Sequence, residues 1–108
     1  MSLDFHLAKT QKEAPFAKSV AEFQLQAHEL IFNRIGLPEG QYPLFKRLQD
    51  YYSDARFDLK EIPTSIEELE KLKNHFSRND RLVQQLEDVY GACSSAIKND
   101  MSMWVYCD

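Results

Sequence analysis

Cysteine, glycine and proline are scarce in this chain, at two, three and four residues among 108. Two cysteines are too few for a disulfide framework. Cys93 falls inside a helical pattern and Cys107 is next to last, so reduced thiols in a cytoplasmic setting are expected. The few glycines and prolines exclude linker-like composition and act as punctuation between elements. No apolar run approaches the roughly 20 residues that cross a bilayer. The first fifteen residues carry Asp4, His6, Lys9, Lys12 and Glu13, so neither a signal peptide nor a transit peptide is expected. Positive charge is also in deficit, with 13 Lys and Arg against 17 Asp and Glu and a formal net charge of -4. That sign argues against nucleic acid or an anionic membrane as the main partner and favours a basic protein.

Enough remains to build one core. The chain is 44% apolar, 12% aromatic and 28% charged, which fits a single helical domain over residues 1–108. The periodicity predicts an all-α fold, a compact bundle of about four helices. A first helix over Phe16–Ile35 follows from Pro15 at its start, Gly36 and Pro38 beyond its end, and a stripe of Phe16, Val20, Phe23, Ala27 and Leu30. A short second helix follows Gly40 and Pro43, with Leu44, Phe45, Leu48, Tyr51 and Tyr52 apolar. In the third, Thr64 or Ser65 followed three residues later by Glu67 or Glu68 offers a capping box ahead of Ile66, Leu69, Leu72 and Phe76. The fourth opens between Ser77 and Asp80 and runs through Val83, Leu86, Tyr90, Cys93 and Ile97, with Gly91 predicting a tight helix crossing. At the termini, Leu3, Phe5 and Leu7 alternate with polar residues, and Met101, Met103 and Val105 alternate in the same way. Both read as strands that could pair as a two-stranded ribbon over the helices.

Motifs for chemistry are weak. His6, His28 and His75 lack a histidine or carboxylate at the i+3 or i+4 spacing that sets two ligands on one helix face, so no metal is expected. His28 reads as a packed, hydrogen-bonded core residue. No glycine-rich loop, GxSxG or CxxC is present, so neither an enzyme nor a cofactor is expected. One segment stands apart. Asp50, Tyr51, Tyr52, Asp54, Phe57 and Asp58 crowd acids and aromatics around a helix end, and Glu61 extends the same sign. Tyrosines supply interface anchors and carboxylates steer a basic partner, so these seven residues form the candidate partner-binding patch. The competing expectation is that Tyr51 and Phe57 close the core.

The stretch Thr64-Ser65-Ile66-Glu67-Glu68-Leu69-Glu70-Lys71-Leu72 with His75-Phe76 resembles the acidic second helix of the colicin DNase immunity proteins, and Tyr51-Tyr52 resembles their interface tyrosine pair. The tyrosines precede the acidic helix here, the reverse of that family's order, so the resemblance is to the broader class of immunity proteins for bacterial nuclease toxins. It implies a protein that neutralises a cationic toxin domain by stoichiometric binding. The alternative is a small self-associating structural or regulatory subunit, using the first helix and Met101, Met103, Trp104 and Tyr106.

Overall fold

A computed structural model describes residues 2–35, 40–49 and 54–107. It overturns the all-α bundle. Four strands, β1 (Ser2–Ala8), β2 (Ser19–Gln24), β3 (Ala55–Phe57) and β4 (Ser102–Cys107), form one sheet in the order β2-β1-β4-β3. Every neighbouring pair is antiparallel. The helices are α1 (Leu25–Glu29), which runs on as a π-type turn through Leu30–Ile35, then α2 (Ile62–His75) and α3 (Asp80–Lys98).

The terminal strands form where the alternation places them, and they pair. Leu3 faces Cys107, Phe5 faces Val105 and Leu7 faces Met103 across the β1–β4 ladder. They are the two central strands of the sheet, because β2 flanks β1 and β3 flanks β4. Leu3, Phe5, Phe23, Phe57, Met103 and Val105 turn one face inward onto Leu69, Leu72, Leu82, Leu86 and Val89 of α2 and α3, all in one buried cluster.

The largest departure is the expected helix over Phe16–Ile35. Ser19–Gln24 of it are β2, in which Ala21 and Phe23 are buried while Glu22 and Gln24 are exposed. Those six residues satisfy the two-residue period of a strand as well as a helical stripe. The choice is made by β1, which sets Leu3 opposite Phe23 and Phe5 opposite Ala21, with the rings of Phe5 and Phe23 edge to face at 5.9 Å. Pro15 starts only a 3-10 turn, Ala14–Phe16. Phe16 and Val20, expected in the buried stripe, are 89% and 46% exposed.

The expected second helix is a 3-10 turn, Phe45–Leu48. Buried Glu68 of α2 holds it, accepting the N–H groups of Phe45 at 3.0 Å and Leu44 at 3.3 Å. The acid assigned to a capping box is thus a cap for a different segment. The start of α2 is organised instead by Asp58 and Glu61. The Glu61 carboxylate accepts the Asp58 N–H at 3.1 Å, and the Asp58 carbonyl accepts the N–H of Glu61 at 2.8 Å and of Ile62 at 3.1 Å. This reciprocal arrangement satisfies donors that a helix start leaves open.

The third helix pattern of the notable stripe, Leu69 and Leu72, is buried as expected. The fourth helix forms where expected but turns a shifted side inward: α3, capped by the Asn79 side chain, which accepts the Leu82 N–H at 3.1 Å, buries Leu82, Leu86, Val89, Cys93 and Ala96, while Val83 and Tyr90 of the expected stripe are half-buried and Ile97 is 43% exposed. Its end is a Schellman arrangement, in which the Met101 N–H reaches the Ala96 carbonyl at 2.9 Å and Asp100 takes a left-handed φ of 54°. Gly91 marks no tight crossing. A Cβ added there would meet nothing within 4 Å.

The opposite face of the sheet carries a smaller cluster. Trp104 packs with Ala8 and Ala14, its indole N–H donates to the Ala8 carbonyl at 3.2 Å, and the Arg56 guanidinium lies 4.7 Å from its ring centre. Met103 and Trp104, assigned above to a self-association surface, are therefore buried.

Candidate functional site

The acidic-aromatic patch does not survive as one surface. Asp50, Tyr51 and Tyr52 lie outside the described residues. Asp54 is exposed. Phe57 is 0% exposed and cannot touch a partner; it packs with its ring 6.3 Å from that of Phe45, inside the core. The strand alternation of β3 explains why, since Ala55 and Phe57 take the inner side and Arg56 the outer.

Asp58 and Glu61 are half-buried and engaged within the fold. Asp58 pairs with Arg56, Oδ1 to Nη2 at 2.5 Å. Glu61 takes both guanidinium nitrogens of Arg47, with one contact at 2.9 Å. Arg47 also donates to the Arg56 carbonyl at 2.9 Å, and its guanidinium carbon sits 5.7 Å from the Phe57 ring centre. The Arg47 hydrogen bond holds the Glu61 carboxyl below its ordinary range, and the same bond pushes the Arg47 guanidinium up. The network ties the 3-10 turn, β3 and the start of α2 together. Its acids act as structural ligands for arginine, and pairing of this kind leaves little charge for a partner.

Other titratable groups are also absorbed by the core. His28 is buried, donates through Nε2 to the Leu48 carbonyl at 2.6 Å, and lies 4.7 Å from the Phe32 ring, the packed histidine expected from its place among Leu25, Ile31 and Phe32. Burial pushes the Cys93 thiol up to about 12, so it stays protonated and unreactive. Burial, with the Glu68 carboxylate second, also raises the Tyr42 phenol. Among the described residues no three His, Cys, Asp or Glu side chains are grouped to hold a metal ion. No described helix is long and apolar enough to cross a membrane.

A cleft of about 270 Å³ lies between α1 and the start of α3, lined in part by Gln26, Glu29, Leu30, Asn79, Arg81 and Gln85. Two of its polar groups are already in use. Asn79 caps α3, and Gln85 accepts the Gln24 N–H at 3.0 Å. From this cleft a shallow groove continues along β2, where Lys18, Val20, Glu22 and Gln24 face Gln85 and Asp88 of α3. β2 is an outer strand of the sheet. Val20 on it and Leu25 just after it are exposed apolar side chains; Phe16, also exposed, lies instead with Leu7, Ala8 and Met101.

Sequence reasoning missed this edge because it read β2 as helix. The alternation of Ala21 and Phe23 against Glu22 and Gln24 was the available signal. Nothing local announces the Arg47–Glu61 pair, whose members are brought together by the fold. No family model, no curated protein and no solved structure matches the chain.

Proposed function

We infer that the protein is a binding protein that neutralises a positively charged protein domain, a stoichiometric inhibitor of the immunity type acting in the cytoplasm on a basic toxin nuclease domain. The observation that carries this reading is the distribution of charge over the surface. Arg47 and Arg56 are held by Glu61 and Asp58, and Lys73 lies 3.6 Å from Glu87, so cations are tied up as well as acids in a chain already at -4. Asp54 and, on α2, Glu67 and Glu70 remain exposed. α2 is also the segment that resembles the acidic helix of the colicin DNase immunity proteins, and it turns Glu67 and Glu70, with Thr64, Lys71 and Asn74, to solvent while burying Leu69 and Leu72. A surface of this sign attracts a domain built to grip phosphates and speeds its association. The action is binding alone, with no cofactor, no nucleic acid and no membrane.

The test is titration against a purified basic nuclease domain encoded beside this protein. A 1:1 complex and complete loss of nuclease activity at equimolar protein are expected. Association should slow steeply between about 50 and about 500 mM salt, as the Debye length falls from roughly 14 Å to roughly 4 Å. Glu67→Lys with Glu70→Lys should slow association further without moving the melting temperature. Undiminished nuclease activity at excess protein would overturn the reading. Self-association, the second reading, is favoured by the exposed apolar side chains of Val20 in β2 and Leu25 just after it.

A further inference from the structure

We propose that the cleft between α1 and the start of α3 binds a free α-amino acid with an aliphatic side chain. Its volume, about 270 Å³, falls below the roughly 300 Å³ at which sites for drug-sized ligands begin, so a small ligand is the right scale. Its floor is apolar. Ala27 and Leu82 are 5% and 2% exposed, and Leu30, which lines the same cleft, is half-buried.

The two walls differ in charge. Arg81 stands on the α3 wall and Glu29 on the α1 wall, and neither takes part in an ion pair among the described residues. The amides sharpen the contrast. The Asn79 side-chain oxygen accepts the Leu82 N–H at 3.1 Å and the Gln85 side-chain oxygen accepts the Gln24 N–H at 3.0 Å, so what each has left over is its NH2 group. The α3 wall therefore offers a guanidinium and two amide donors, and the α1 wall offers a carboxylate. A guanidinium with N–H donors recognises a carboxylate, and the Glu29 carboxylate recognises an ammonium. A simple anion would meet Glu29 as a like charge, and a simple cation would meet Arg81. A ligand that carries both groups on one carbon, with an alkyl arm to cover Ala27, Leu30 and Leu82, is an aliphatic α-amino acid.

The experiment is titration of the purified full chain with L-leucine, followed by melting temperature and by amide chemical shifts. About 10 mM L-leucine should raise the melting temperature and shift the amides of residues 26–30 and 79–85, because a ligand that binds only the folded state stabilises it by mass action. N-acetyl-leucine lacks the ammonium and leucinamide lacks the carboxylate, so each should bind about tenfold more weakly. Variants assign each group to its wall. Glu29→Gln should weaken leucine about tenfold and remove its advantage over N-acetyl-leucine, while Arg81→Gln should weaken it as much and remove its advantage over leucinamide. Both side chains are exposed, so circular dichroism and the melting temperature without ligand should stay unchanged. No response to about 10 mM leucine, equal binding of the three compounds, or variants that bind leucine as tightly as the parent would overturn the proposal. Each of these results leaves inhibition of a basic nuclease to be read separately, since that assay is scored by activity and complex formation.

Discussion

Glu68→Ala is expected to destabilise the protein by about 2 to 4 kcal/mol, more than the loss of an ordinary surface acid. Glu68 is 2% exposed, and its two oxygens accept the N–H groups of Leu44 and Phe45. Removing the carboxylate strands two buried donors, at about 1 to 3 kcal/mol each. Relief from burying a charged group offsets part of that sum, which places the net effect in the lower half of the range. Glu68→Gln keeps one acceptor oxygen and should cost about half as much. Phe45 and Leu48 are buried on the turn these bonds hold, and the Leu48 carbonyl accepts from His28, so the damage should spread locally. Urea unfolding of the two variants reads the magnitude, with an unchanged slope if the transition stays two-state. Amide exchange at residues 45–49 should accelerate in both. A cost below about 1 kcal/mol for Glu68→Ala would refute the reasoning, because the turn would then be held by apolar packing alone.

Leu86→Ala should cost about 2 to 5 kcal/mol by urea unfolding, since Leu86 is fully buried in α3 against the sheet. Asp100→Gly should stabilise the protein by up to about 1 kcal/mol, measured as a raised melting temperature, because residue 100 holds a left-handed φ that glycine adopts without strain. The Glu61 carboxyl lies below its ordinary value of 4.5 in the folded state, chiefly through the Arg47 hydrogen bond. Its contribution is therefore complete above that value and lost as pH falls through the lower folded-state value. Glu61→Gln should flatten that acid limb of the stability profile while also lowering stability at neutral pH; a limb of unchanged slope would remove Glu61 from it.

The amino-acid sequence by itself determined β1, α2, α3 and β4. In each the local period matches the environment finally supplied: Leu3 and Phe5 alternate inward on one strand, Met103 and Val105 on another, and Leu82, Leu86, Val89 and Cys93 line one side of a helix. The packed state of His28 was legible for the same reason, since its apolar neighbours one turn away lie within its own segment. Residues 19–24 were not legible, because their apolar positions satisfy both a helical and a strand period. Only the presence of β1, with Leu3 and Phe5 waiting opposite Phe23 and Ala21, resolves the ambiguity toward a strand. The acids of the candidate patch differ in fate for a related reason. A carboxylate is the same residue in the sequence whether it meets solvent or an arginine. Asp58 and Glu61 became structural when the fold carried Arg56 and Arg47 to them, Glu68 when it met two backbone donors, and Asp54 stayed at the surface. Periodicity is a property of neighbours in the chain, so it can be read there; the choice of partner depends on contacts between distant segments, and the tertiary structure alone decides it.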